Sequence, residues 1–378
     1  MRVVDVTQWY APRSGGIRTY LHAKAAFAAA THRSHALIVP GTAGKVTRIE
    51  RSPIIEVPAL PTAQETGYRL IPHPRPILSA LDRLEPSVLV VHDATAFPRS
   101  LCRWARTRGV PVVMLVHSEL EAGAAGIPTP LRLPTQHVLR IVQARGIDGP
   151  DAVIATSNSV ADRLRSRSGI HIYVSPLGVD TSIFYPREPD ERLRRALAQP
   201  NETLLIHAGR LSSEKRPELL IDVITELRDS CVLAIAGSGS AEDDLRRRVA
   251  ARGLEERVRF LGHIDDREQL ARLYAVADCF VHVNSGETFG LAPLEALACG
   301  CRVVLPSDCG VVEAAGTGEL VAVEPNSVEA LAAGIREAIT HPRPRPEIDQ
   351  LSWRRTFDRE WALYGLLAGR AAVSEAVA

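Results

Sequence analysis

No run of apolar residues in this 378-residue chain approaches the length that a membrane-spanning helix needs. The opening residues, Met1-Arg2-Val3-Val4-Asp5, read as the start of a strand and not as a secretory leader. The expectation from both is a cytoplasmic protein. Cysteine is sparse, and the six residues at 102, 231, 279, 299, 301 and 309 fall mostly in apolar strands or glycine-rich turns. Cys299, Cys301 and Cys309 have no fourth ligand at zinc-like spacing, so small core residues are the preferred reading. A disulfide framework is not expected without export. The G-x-G-x-x-G fingerprint of dinucleotide-binding proteins is missing, which counts against a nicotinamide-dependent oxidoreductase. No D-x-D pair is present to hold a metal ion. Net charge is only +1, and nothing points to nucleic acid.

That charge is unevenly spread. Residues 1–185 carry 21 Lys and Arg against 13 Asp and Glu, whereas residues 186–378 carry 24 against 31. A first half at +8 beside a second at −7 favours an anionic partner for the first half, with scattered surface charge as the alternative. The length suggests two domains. Short apolar runs at about 36–39, 54–57, 88–91, 112–116 and 152–156 alternate with helical stretches, as do 203–208, 232–236, 278–283 and 302–306. This alternation predicts doubly wound α/β sheets, whose ligands bind at the carboxyl ends of the strands.

Several stretches at those strand ends suit an anion. Asp278-Cys279-Phe280-Val281-His282-Val283 is a buried-strand pattern followed by Ser285-Gly286-Glu287-Thr288-Phe289-Gly290 and a helix closed by Gly300. A helix N-terminus offers free N–H groups and a positive dipole end to a diphosphate, and a backbone at Phe289, Gly290 and Leu291 can approach it closely. Glu287 and Glu295 flank this cradle, and a carboxylate accepts two hydroxyl hydrogen bonds at once, as a vicinal diol requires. Gly209-Arg210-Leu211-Ser212-Ser213-Glu214-Lys215 puts two cations at another strand end, where a positive helix start disfavours them unless an anion binds. Gly15 and Gly16 form a third strand–loop–helix site, with a plain turn as the alternative. His92-Asp93 and His117 end two further strands. Asp266 reads first as a helix cap, and second as an acceptor for the paired N–H groups of guanine.

The string Glu287 to Glu295 resembles the E-x7-E motif of family-four retaining glycosyltransferases, which have the GT-B fold. Gly209–Lys215 resembles the family's G-R-x-x-x-E-K element, Gly15-Gly16 its N-terminal Gly-Gly loop, and Asp308–Glu313 its G-x-x-E turn. The resemblance is strong over 203–312, moderate over 1–31 and weak over 40–150. It implies two Rossmann-like domains facing a deep cleft: residues 1–185 for the acceptor, 186–352 for the nucleotide-sugar donor, and a last helix in 353–378 crossing back to the first domain. By position, Glu287 and His117 contact the transferred sugar. Glu295 contacts the ribose. Arg210, Lys215, Gly15, Gly16, Gly237, Phe289, Gly290 and Leu291 contact the diphosphate or lie near it. The loop with Ile264 and Asp266 brackets the nucleobase and is similar to that of GDP-mannose-using mannosyltransferases. The implied reaction is a metal-independent hexosyl transfer, with retention, to a hydroxyl acceptor. An anionic acceptor such as a phospholipid is preferred, with peripheral contact at the inner membrane face. A UDP-sugar-dependent glucosyl or N-acetylglucosaminyl transferase, a glycoside hydrolase using the two glutamates, and a non-catalytic sugar-binding protein of the same fold stay open.

Overall fold

The computed structural model describes residues 1–11, 15–42, 44–62, 67–92, 97–117, 149–165, 171–227, 231–285, 287–315 and 320–377. The expected site residue Asp93, the glycine at 286 and the stretch 118–140 lie outside these. The chain divides into two compact units. The first draws its described residues from 1–117, 149–177 and 353–377, and the second from 178–352.

In chain order the first stretch contains β1 (Arg2–Thr7), α1 (Gly16–Ala30), β2 (Ser34–Gly41), β3 (Val46–Ile49), β4 (Ser52–Pro58), the short pair β5 (Leu60–Pro61) and β6 (Arg69–Leu70), and α2 (Arg75–Leu84). Then follow β7 (Val88–His92), α3 (Pro98–Arg106), β8 (Val112–Val116), β9 (Ala152–Ala155), α4 (Asn158–Arg165) and β10 (Ile172–Val174). The second stretch contains α5 (Glu191–Leu197), β11 (Thr203–Ala208), α6 (Glu218–Glu226), β12 (Cys231–Ala236), α7 (Glu242–Ala251), β13 (Val258–Gly262) and α8 (Arg267–Val276). It continues with β14 (Cys279–Val281), α9 (Leu291–Ala298), β15 (Arg302–Pro306), α10 (Val311–Ala314), β16 (Val321–Val323) and α11 (Val328–Thr340), before α12 (Trp353–Val377).

The first unit is built on a sheet of order β10-β9-β8-β7-β1-β2-β4-β3, parallel except for the edge strand β3. Its inner strands are nearly continuous apolar runs. Helices cover a parallel sheet on both faces, so alternation would bury polar side chains. β1 breaks that rule inside its valine run at Asp5, which is buried. α12 belongs to this unit. Its Phe357 and Trp361 lie one turn apart and pack on Phe27 of α1 at centroid distances of 5.4 and 5.3 Å. The helix runs on to Val377.

The second unit has an all-parallel sheet of order β13-β12-β11-β14-β15-β16. Its core joins Leu205, Leu233, Ile235, Val281 and Val304 to Leu220 and Ile224 of α6 and Leu331 and Ile335 of α11. The break between the units precedes Gly178, eight residues before the expected boundary at 186. The reason is local. Val179 donates to the Leu351 carbonyl at 2.8 Å and bridges Ser352, while Phe184 packs on Tyr274. These contacts tie residues 178–185 to the second unit, which the proline-rich run after Tyr185 concealed. All six cysteines are buried and free, as small core residues would be.

Candidate active site

In the second unit the order of strands reverses between β11 and β14, and open parallel sheets bind ligands at such a switch point. The loop leaving β11 carries Arg210 and Lys215, and the loop leaving β14 carries Glu287. The two loops meet there. Lys215, in a short 3-10 turn at Ser213–Lys215, donates to Glu287 Oε2 at 2.6 Å. Asn284 Nδ2 donates to the same oxygen at 2.6 Å, and His282 Nε2 stands 4.0 Å from it. Lys215 and Asn284 thus converge on one oxygen of the Glu287 carboxylate. Burial by itself raises the Glu287 carboxyl, but Lys215, His282 and the two hydrogen bonds overcome it and hold the group down at about 2. The carboxylate is therefore ionised at neutral pH.

Arg210 takes a more open place, with its guanidinium half-exposed and 3.5 Å from Glu214. The loops after β11 and β12 continue the sheet ladder: Gly209 N donates to Ala236 O and Leu211 N to Ser238 O, both at 3.0 Å. This explains Gly237. A Cβ there would lie 1.9 Å from the Gly209 carbonyl oxygen, so a side chain would push the Arg210 loop away. Gly290 is a second required glycine. It has φ +98° at the N-cap of α9, and a Cβ would meet Cys309 Sγ at 3.0 Å. The preceding loop is pinned from the other side, where Gly310 N donates to Glu287 O and Val311 N to Phe289 O. The helix therefore starts at Leu291, and its first amides lack acceptors within the helix.

Glu295, on α9, is 6% exposed. Burial raises its carboxyl and Arg267, which donates to Oε1 at 2.8 Å, opposes that rise. Arg267 is the first residue of α8 and lies over the Phe184 ring at 4.8 Å. Asp266 caps this helix, accepting from Glu268 N at 2.9 Å. Ile264 is half-buried in the loop just before it. Thus Arg210, Lys215, Gly237, Ile264, Asp266, Glu287, Phe289, Gly290, Leu291 and Glu295 all sit on loops or helix starts following the carboxyl ends of one sheet.

In the first unit the order of strands reverses between β1 and β7. Gly15 and Gly16 follow β1 and open α1. Among the described residues a Cβ on Gly15 would meet nothing within 4 Å, and its φ of −81° is ordinary. Packing within the protein does not demand glycine there. His92 ends β7, and His117 directly follows β8. His92 Nδ1 and His117 Nε2 are 2.8 Å apart, and His92 Nε2 is 2.7 Å from Asp5 Oδ1. Burial, together with His92 and Lys24, holds His117 well below the usual histidine range, against the pull of Asp5.

Residues 189–351 match the family profile "Glycosyl transferases group 1", and residues 14–183 match "Glycosyltransferase Family 4". A GDP-mannose-dependent alpha-(1-6)-phosphatidylinositol dimannoside mannosyltransferase of Mycobacterium tuberculosis is 35% identical, over 97% of either chain. The chain is a family-four glycosyltransferase. A second mannosyltransferase, acting on phosphatidylinositol monomannoside in Mycolicibacterium smegmatis, is 28% identical over 97% of this glycosyltransferase and 98% of its own length. Among solved structures, sucrose-phosphate synthase from Thermosynechococcus elongatus superposes with a TM-score of 0.73, covering 99% of this chain and 98% of its own at 18% identity. Anabaena HepE with UDP and glucose gives 0.67, covering 100% and 99% at 18% identity. The fold is GT-B. The glycosyltransferase is a retaining enzyme that moves a hexose from a nucleotide sugar to an acceptor hydroxyl.

The motif reading singled out Lys215, Glu287 and Glu295 and passed over the residues that pair with the two glutamates. Asn284 and His282 sit three and five residues before Glu287, and a polar pair ending an apolar strand was the available signal. Arg267, the partner of Glu295, had no sequence signal beyond its place after a cap. His282 is 7% exposed, and neither ring nitrogen has a hydrogen-bond partner. Burial, His207 and Lys215 lower it to about 4 despite Glu287.

A pH dependence follows. Unfolded His282 takes a proton below its ordinary 6.5 and the folded residue only below about 4, so falling pH favours unfolding across that window. Glu287 is depressed from 4.5 to about 2 and loses its stabilising share across the window below. The melting temperature of the second unit is expected to fall from pH 6.5 downward, and His282→Leu to flatten the upper part of that fall. Calorimetry across this range checks it; equal slopes in the two proteins would refute the assignment.

Proposed function

We propose that this enzyme transfers mannose from GDP-mannose to a hydroxyl of a mannosylated phosphatidylinositol. The observation that carries the proposal is the 35% identity to the dimannoside mannosyltransferase along 97% of both chains. Acceptor and donor halves are alike together, not one alone. The charge excess in residues 1–185 supports an anionic acceptor. No helix among the described residues is long and apolar enough to cross a membrane, so we propose peripheral contact at the inner face of the lipid layer that holds the acceptor.

In this reading the bond from the sugar anomeric carbon to the diphosphate oxygen breaks as the acceptor oxygen bonds the same carbon on the same face. The acceptor proton passes to a phosphate oxygen of the departing GDP. Arg210, Lys215, the amides after Gly290 and those at Gly15 and Gly16 stabilise the charge that grows on the diphosphate. Glu287, fixed and ionised, takes hexose hydroxyls on Oε1. Glu295 takes the ribose, and His117 contacts the hexose. The loop at Ile264 and Asp266 brackets the guanine. Fixed cations occupy the role a divalent ion plays elsewhere, so we propose that no metal is required.

The test pairs thermal shift with transfer. GDP, but not UDP or ADP, raises the melting temperature, and labelled mannose moves from GDP-mannose to phosphatidylinositol mannosides in vesicles at the same rate with and without EDTA. Stabilisation by UDP alone refutes the donor. Transfer only to soluble acceptors refutes the lipid, and loss of transfer in EDTA refutes metal independence.

A further inference from the structure

We propose that Arg267 is a positioning residue for nucleotide recognition: it holds one oxygen of the Glu295 carboxylate so that the other meets the ribose hydroxyls of the donor. The inference rests on the reading of Glu295 as the ribose contact.

Glu295 lies in α9, whose other residues are alanine, leucine and proline. A carboxylate buried in such a helix is costly unless a cation meets it. Arg267 is that cation. It reaches from the first turn of α8, and its Nη2 donates to Glu295 Oε1 at 2.8 Å. Both helices belong to the second unit. Tyr274 of α8 and Cys299, just past α9, also lie near the carboxyl, and burial holds both in their neutral forms. The charge that acts on Glu295 is that of Arg267.

The needs of its own helix do not explain Arg267. A helix N-terminus is the positive end of the dipole, so a cation in the first turn is disfavoured there. Asp266 already caps α8 by accepting from Glu268 N, and Glu268, the acid of that turn, is taken by Arg187 at 2.9 Å. Arg267 faces α9 instead, with its guanidinium 4.8 Å from the centre of the Phe184 ring. Phe184 is fully buried, so the ring is a fixed platform. Ring and carboxylate hold the guanidinium between them, and an arginine held in this way fixes the carboxylate in turn. The loop at Ile264 and Asp266, read as bracketing the base, runs directly into this arginine. Removing Arg267 changes two things. Oε1 loses its donor, and the carboxyl, already raised by burial, is pushed further up. As pH falls it takes a proton sooner, and a protonated carboxyl accepts fewer hydrogen bonds.

The experiment measures the affinity of the full chain for GDP and for 2′,3′-dideoxy-GDP by titration calorimetry. The ratio of the two reads the ribose hydroxyls alone. The unaltered protein is expected to prefer GDP by about 10- to 100-fold, the range of hydrogen bonding to a charged group. Arg267→Met keeps an apolar stem over Phe184 and removes the charge. It should shrink the ratio by about tenfold, the scale of a misplaced contact. In this variant the ratio should fall further as pH is lowered from about 8 to about 6, while that of the unaltered protein stays level. Arg267→Lys, whose ammonium can donate to the same oxygen, should recover part of the ratio. Added to Glu295→Gln, Arg267→Met should change it no further. A ratio in Arg267→Met equal to that of the unaltered protein overturns the proposal. Equal weakening of both ligands, with the ratio kept, overturns it too. A ratio near one in the unaltered protein overturns the ribose reading of Glu295, and this role for Arg267 with it. If UDP binds and GDP does not, the donor reading alone fails, and the same ratio is taken with UDP and 2′,3′-dideoxy-UDP.

Discussion

Lys215→Ala lowers kcat by about two to three orders of magnitude, the range seen when one fixed charge-stabilising donor is removed from a transition state. The side chain stands where β11 and β14 diverge and touches Glu287 at 2.6 Å. Its loss acts twice. In the proposed reaction it withdraws a cation from the departing diphosphate, and it frees Glu287 from the partner that does most to keep its carboxyl near 2. Its stability effect is expected to be small. Lys215 is about a quarter exposed, lies in a three-residue turn and supports no core contact. Steady-state kinetics with GDP-mannose, beside a melting curve, check both halves. A variant that turns over normally removes Lys215 from the reaction, and one that fails to fold removes the argument from its place at the surface.

Lys24→Ala is the largest expected effect on stability, about 3–5 kcal/mol, because it leaves buried acids without their cation. The ammonium is fully buried. It lies 2.8 Å from Asp5, 3.7 Å from Glu360 and 3.0 Å from the Tyr364 hydroxyl, under the rings of Tyr20, Trp361 and Tyr364. Burial already raises Glu360, with Lys24 the first influence opposing it. Without Lys24 that carboxyl is pushed further up, and Asp5 loses its strongest counterion. All four tryptophans, at 9, 104, 353 and 361, belong to the first unit, so denaturant unfolding followed by tryptophan fluorescence reports on it alone. Adding Glu360→Gln to Lys24→Ala is expected to recover part of the loss, since one of the stranded charges is then gone. A loss below about 1 kcal/mol, the scale of an exposed pair, would refute the buried-network assignment.

The two sheets were legible because a parallel sheet covered on both sides writes its strands as apolar runs. The strand Arg302–Pro306 stands where the apolar pattern puts it. The residues read as donor contacts stood out for the same reason, being charged or glycine residues at strand ends, and the structure brings Lys215 and Glu287 together at one sheet edge. What the pattern could not supply was pairing across distance. Lys24 sits on a helix and Asp5 on a strand, and Glu360 follows more than three hundred residues later. Each looks like an ordinary surface charge until the fold buries it. Gly237 was assigned to the donor by likeness, and its steric need, against the Gly209 carbonyl, shows only once two loops are laid side by side. Asp266 is similarly divided: the cap it forms on α8 is visible, and its part toward guanine belongs to the proposed function.

The central claim is that the carboxyl edge of the second sheet, where β11 and β14 part, grips a nucleoside diphosphate. A crystal structure of the full chain with GDP tests it most directly. The account predicts the diphosphate against Arg210, Lys215 and the amides that follow Gly290, with the ribose hydroxyls on Glu295. GDP bound elsewhere, with Lys215 and Glu287 still paired and untouched, would contradict it.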